Sequence, residues 1–276
     1  MVSGELKTEP LNTQHAPITV NSPVVDLTLK LLGPVEIYRD PSRQFAPDAW
    51  TTKRARDIFC YIATSRHRRV EKETLIEAFW GDAELDAIEK NFHPTISHVR
   101  KALNSRQTLK QNFLLYRDGS YQLNPELTYS IDTEEFSYFV AKAEKAYRDK
   151  ENDRLWENIE AAHNLYRGDF MAGVYEDWAK ELRGFFREQH ARILKSMAKF
   201  AFREKSWTKA LGFASDILRE DPFREDIHAL IMRVYAAQNK RSAAKEQYNK
   251  LQKLLKEELG VEPAPETRRV YQELLK

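Results

Sequence analysis

The sequence has one cysteine in 276 residues, so no disulfide can form within the chain. Cys60 lies in Ile58-Phe-Cys-Tyr-Ile62, a run that predicts a small buried side chain rather than a reactive thiol. Long hydrophobic runs are missing, which excludes a membrane-spanning helix, and the N-terminus has no apolar leader segment. The expected location is therefore the cytoplasm. An excess of charge of one sign is missing too: 44 Lys and Arg face 42 Asp and Glu. Partners must then be read from where the charges cluster. Also lacking are the Gly-x-x-x-x-Gly-Lys-Ser/Thr phosphate loop, the Gly-x-Ser-x-Gly elbow and His-Glu-x-x-His. His93 and His98 are five apart, about 140° around a helix, and do not converge on a metal. No enzyme, metal or cofactor is expected.

What is present divides the chain in three. Residues 1–24 mix Pro, Thr, Asn and Ser without apolar periodicity and are expected to be a disordered tail, native or the stub of a linker. From Leu27 the pattern predicts two short strands, 27–32 and 35–38, around Gly33-Pro34. A first helix over 52–65 buries Ile58, Phe59 and Ile62. A second, over 72–80, carries Leu75, Ile76, Phe79 and Trp80.

The third helix is the most informative. Phe92, Ile96, Val99 and Leu103 fall at i, i+4, i+7 and i+11 and make one apolar stripe. The opposite face carries His93, Ser97, His98 and Lys101, with Thr95 and Arg100 on its flanks. Short or cationic hydrogen-bonding side chains of this kind suit a DNA groove. Pro94 conflicts with a long helix, so a start near Asn91 or a kink is expected. Just downstream, residues 112–124 alternate around Asp118-Gly119, the signature of a hairpin. A polar-faced helix followed by a basic-tipped hairpin predicts a winged helix-turn-helix over 25–125 that binds double-stranded DNA. Thr95 and His98 are the leading candidates for base contacts, then Ser97 and His93. Arg100 and Lys101 are assigned to phosphates and Arg117 to the backbone or minor groove beside the wing. Residues 26–125 hold 16 Lys and Arg against 13 Asp and Glu. Their clusters, Lys53, Arg54 and Arg56, then Arg66, His67, Arg68 and Arg69, add phosphate-facing candidates, Lys53 and Arg54 first.

Beyond Ile131 the pattern is helical almost throughout, with helices expected near 133–149, 152–167 and 176–204. A shift of 34 residues pairs Met197 with Ile231, Phe200 with Val234, Ala210 with Ala244, Ala214 with Tyr248 and Ile217 with Leu251. That period matches the tetratricopeptide helix pair, so residues 131–276 read as an all-α, tetratricopeptide-like domain. The fold class is mainly α with a small β component. A second reading stays open, in which the helical array is a protein- or ligand-binding scaffold and the winged helix makes protein contacts.

Several strings together resemble a known family: Leu31-Leu-Gly-Pro-Val-Glu36, Lys53-Arg-Ala-Arg56, Leu75-Ile-Glu-Ala-Phe-Trp-Gly81, Ile96-Ser-His-Val-Arg-Lys-Ala-Leu103 and Glu257-Glu-Leu-Gly-Val-Glu-Pro-Ala-Pro-Glu266. The chain looks like a Streptomyces antibiotic regulatory protein (SARP)-type transcriptional activator, an OmpR-like winged helix joined to a bacterial transcriptional activation domain. The resemblance implies binding to direct repeats near a promoter, as a possible homodimer on DNA, and recruitment of RNA polymerase. His98 departs from the Arg common at its position, and Ser120 from a second Gly before the wing tyrosine. With only 9 glycines, the composition also departs from that of the best-known actinobacterial members.

Overall fold

The computed structural model describes residues 25–40, 43–44, 50–81, 83–104 and 112–275; the expected tail at 1–24 lies outside the described residues. The chain begins with β1 (Leu27–Lys30), β2 (Glu36–Asp40) and β3 (Arg43–Gln44). Leu27 and Leu29 point inward and are fully buried, while Thr28 and Lys30 alternate outward, the period-two pattern of a half-covered strand. β1 pairs antiparallel with β2, Leu29 opposite Ile37. The first expected strand thus stops two residues early. Leu31 and Leu32 leave the ladder, although both are fully buried.

Next come α1 (Lys53–Thr64), β4 (Arg69–Glu71), α2 (Lys72–Trp80) and α3 (Leu85–Asn104). The Thr52 hydroxyl caps α1 by accepting from the Ala55 amide at 3.2 Å. Of the two expectations for α3, the late start near Asn91 is overturned: the helix runs through Pro94 and begins at Leu85, with a helical turn ahead of the proline as the other expectation allowed. The apolar register explains this, since Ile88 lies one turn before Phe92 and packs on the same core. Proline removes the amide that would bond the Lys90 carbonyl, and both residues are exposed, where water replaces the lost bond.

The hairpin follows as β5 (Leu114–Arg117) and β6 (Ser120–Leu123). Asp118 and Gly119 both have positive φ, 49° and 74°, the two-residue turn that matches strand twist. β4 adds to β6 as the third strand of this small sheet, with Val70 opposite Tyr121. β7 (Tyr129–Ile131) then returns to the first sheet and pairs parallel with β1.

Seven helices complete the chain: α4 (Asp132–Arg148), α5 (Asn152–Leu165), α6 (Asp177–Arg203), α7 (Trp207–Glu220), α8 (Glu225–Ala237), α9 (Arg241–Leu259) and α10 (Pro265–Leu275). The 34-residue shift carries the second half of α6, with α7, onto α8 and α9. Met197, Ala210, Ala214 and Ile217 are buried, as are their counterparts Ile231, Ala244, Tyr248 and Leu251. Phe200 is the exception. It is exposed and stacks on Trp156 of α5, ring centres 4.4 Å apart, instead of entering the repeat core.

One continuous apolar core runs from Leu27 to Met197, through α1, α3, the hairpin, Phe136, Phe170 and Phe186. Trp178 of α6 joins the parts, edge-on to Tyr61 at 5.0 Å and tilted against Phe79 at 5.9 Å. Residues 166–174 strap across the turn after β1: Leu32 bridges Phe170, and Pro34 bridges Ala172. The approach is close, for a Cβ at Gly33 would stand 3.1 Å from that of Arg167. Between the strap and α4, the Asp132 carboxylate accepts the Leu31 amide at 2.8 Å and the Leu32 amide at 2.9 Å. Those are the two amides that left the β1 ladder.

Burial pushes the Asp132 carboxyl up to about 6, against the opposing pull of the Leu32 and Leu31 amides on its charged form. A group whose folded pKa is raised favours folding when protonated, and that contribution is lost as pH rises through the folded value. Between pH 4 and pH 7 the protein should lose about 2 kcal/mol relative to an Asp132→Asn variant, which cannot titrate. Urea unfolding of both across that range checks this; a constant difference would refute it.

Candidate nucleic-acid interface

On α3 the apolar stripe is seated as its spacing requires: Phe92, Ile96, Val99 and Leu103 are all buried. The ring of Phe92 meets Trp80 at 5.6 Å and Tyr121 at 5.8 Å, so one side chain fixes α3 against both α2 and the hairpin. With that face anchored, the helix presents a defined outer stripe. His93, Ser97 and Lys101 are exposed along it. His93 is braced edge-on by the Phe92 ring at 5.5 Å.

The flanking candidates are placed differently. Arg100 is half-buried on the hairpin side, close enough to oppose the burial that raises the Tyr121 phenol. Thr95 and His98 are half-buried on the other flank, about 140–160° around the helix from Arg100. The Thr95 hydroxyl donates to the Asn91 carbonyl at 2.7 Å, so its proton is directed into its own helix.

Arg117 is exposed at the end of β5, beside the turn. Lys53 and Arg54 are exposed in the first turn of α1. Arg54 lays its guanidinium over Trp80, 5.1 Å from the ring centre, and Trp80 in turn touches Phe92. That chain of rings brings Arg54 toward the first half of α3. Lys53 lies one turn before Asp57, whose carboxyl is raised by burial and lowered in part by Arg56, with which it pairs.

Two cations were missed from sequence. Lys90 is exposed on α3 seven residues before Ser97, nearly two full turns, so it extends the outer stripe. That spacing was readable, but Pro94 had put the helix start too late. Lys72 gave no local signal. Its amide donates to the Gly119 carbonyl at the hairpin turn, 3.0 Å away, and its ammonium lies 5.6 Å from the Phe92 ring centre. It therefore stands between the hairpin tip and α3.

Among the described residues, Arg54, Lys72, Lys90, Arg100, Lys101 and Arg117 have no carboxylate within ion-pair distance, whereas Arg56 pairs with Asp57 and Arg68 with Glu134. Unpaired cations beside a hydrogen-bonding helix face are what a polyanion needs. The helical region holds a cleft of about 480 Å³ lined by His163, Tyr166, Arg187, His190, Asp216 and Arg219. Its rim charges satisfy one another: Arg187 with Asp169 and Glu220, Arg219 with Asp216 at 2.9 Å. Inside, Tyr166 stacks on His190 at 3.8 Å, and burial, then His163, lowers the His190 pKa to about 4. The cleft offers no free charge.

Residues 131–275 match the family described as the bacterial transcriptional activator domain. Over 280 residues the chain is 23% identical to the transcriptional regulatory protein MoaR1 of Mycobacterium tuberculosis, covering 97% of this chain and 85% of that protein. It is 23% identical over 250 residues to the regulatory protein AfsR of Streptomyces griseus, covering 91% of this chain but 24% of AfsR. The structure of Mycobacterium tuberculosis EmbR in complex with a low-affinity phosphopeptide shares the fold, with a TM-score of 0.75 at 20% identity. That match covers 91% of this chain and 65% of EmbR. No described helix is long and apolar enough to cross a membrane.

Because the Phe92 ring meets both neighbours of α3, Phe92→Ala should cost roughly 3–5 kcal/mol and loosen the whole face. Chemical denaturation gives the number, and a loss below about 1 kcal/mol would show that the ring is not the anchor.

Proposed function

The chain belongs to the bacterial transcriptional activator domain family, and on that premise we propose that this transcriptional regulator binds duplex DNA through residues 25–125 and activates through residues 131–276. The single observation that carries the reading is the stripe of Lys90, His93, Ser97 and Lys101, backed by unpaired cations on both sides. α3 lies in the major groove, about 30 Å long and narrow enough to enter it. Ser97, His93 and the flanking His98 and Thr95 face base edges. Lys90, Lys101 and Arg100 hold phosphates, and Arg54 and Lys72 extend that contact along the backbone. Arg117 at the hairpin tip reaches the neighbouring minor groove or backbone. The partner of the helical part is RNA polymerase, and two chains sit side by side on direct repeats. The named relatives are regulators rather than enzymes, and no catalytic role is assigned.

Selection of bound duplexes from a random pool at two salt concentrations tests the reading. A motif repeated at about one helical turn is expected, and binding without enrichment that vanishes as salt rises would overturn it. Replacing His98 and Arg100 together by Ala should abolish sequence preference while leaving the thermal unfolding transition in place. Lys101→Ala should instead weaken all sequences alike and lower the slope of log affinity against log salt by about 0.9.

A further inference from the structure

Arg68 sits where the helical part meets the wing. It follows His67, and both backbones are left-handed, φ 52° and 57°, a conformation rare for side-chain-bearing residues. This tight turn delivers the chain into β4, whose Arg69, Val70 and Glu71 pair with Gln122, Tyr121 and Ser120 of the wing. The Arg68 guanidinium does not face outward with Arg69. Its Nε and Nη2 donate to the two oxygens of Glu134 at 3.0 and 2.6 Å. Glu134 belongs to the first turn of α4. The same guanidinium lies 5.1 Å from the ring centre of Tyr129 in β7, whose hydroxyl donates to the Asn124 carbonyl at the foot of the wing.

We infer that Arg68 is a positioning residue: through Glu134 and Tyr129 it ties the third strand of the wing to the head of the helical part, and it makes no phosphate contact. The sequence groups it with Arg69 as a cation for DNA, but its Nε–Nη2 edge is spent on both carboxylate oxygens, the carboxylate neutralises the charge a phosphate would attract, and the side chain is only 30% exposed. Both partners are partly exposed, 30% and 50% for their side chains, so the pair is not what keeps the protein folded. It sets where the wing stands relative to α3. The inference rests on the wing being a DNA contact, and its test includes a measurement that needs no DNA.

In the full chain, affinity for the selected duplex is measured against salt for the wild type, Arg68→Ala, Glu134→Gln and the exchange Arg68→Glu with Glu134→Arg. Glu134→Gln should weaken binding roughly 5-fold, as Arg68→Ala does, with an unchanged salt slope, and the exchange should recover part of the loss. Hydrogen exchange at the Val70 and Tyr121 amides should quicken several-fold in Glu134→Gln, whether or not DNA is bound. If Arg68 touches phosphate, Arg68→Ala lowers the salt slope by about 0.9, Glu134→Gln binds at least as tightly as wild type, and exchange is unaltered; that pattern overturns the inference. Should the wild type show no sequence preference, the functional reading fails by itself and the exchange measurement still decides the role of Arg68.

Discussion

Everything in this architecture hangs on how the chain leaves its first strand. Leu31 and Leu32 must be buried, yet their amides lose their ladder partners where β1 ends. A buried amide without an acceptor costs on the order of 1–3 kcal/mol, so something must enter the core to meet them. Asp132 does so from 100 residues away, at the first position of α4. For the carboxylate to reach, β7 must already lie beside β1, and α4 must start where β7 stops. The strap from Tyr166 to Val174 closes over the same turn. The first sheet is thus completed only by residues that follow the wing, and the helical array starts as an extension of that sheet.

The face assigned to DNA is built on the same economy of shared parts. Phe92 serves α2, the hairpin and α3 at once, and the carbonyl of Gly119 bonds the first amide of α2. Hairpin tip, α2 and α3 are therefore one mechanical unit, and the unpaired cations on it come from different stretches of sequence held at fixed separations. Rigid placement of this kind lowers the entropy lost on binding a polyanion.

Much of this was legible in the sequence, and the failures have physical causes. The 3.6-residue spacing of Phe92, Ile96, Val99 and Leu103 and the Asp118-Gly119 turn are local signals, and both read directly. So did the 34-residue period, because helix pairs repeat their packing, although Phe200 kept the period and left the core for Trp156. β4 and β7 are three residues each and exist only through pairing with distant strands, so no window of sequence encodes them. Asp132 in a first helical turn looks like any acid favoured by the helix dipole, and its buried role depends on β1. Lys90 was hidden by an ordinary rule about proline that solvent exposure relaxes. DNA binding came from the polar face of the third helix and the hairpin after it, whereas activation came from the family strings, above all the one at 257–266.

The core shared by the two parts, continuous from Leu27 to Met197, has a geometric corollary for promoters. With α3 seated in a groove as proposed, Trp178 and the strap tie the head of the helical array to the winged part, and its orientation about the duplex follows the groove. Each base pair inserted between the binding site and the start of transcription then rotates the array by about 34–36° around the DNA axis, since a turn takes 10–10.5 base pairs. Sites displaced by half a turn would present the array on the far side of the duplex. Operators for such a protein are constrained in phase as well as in sequence.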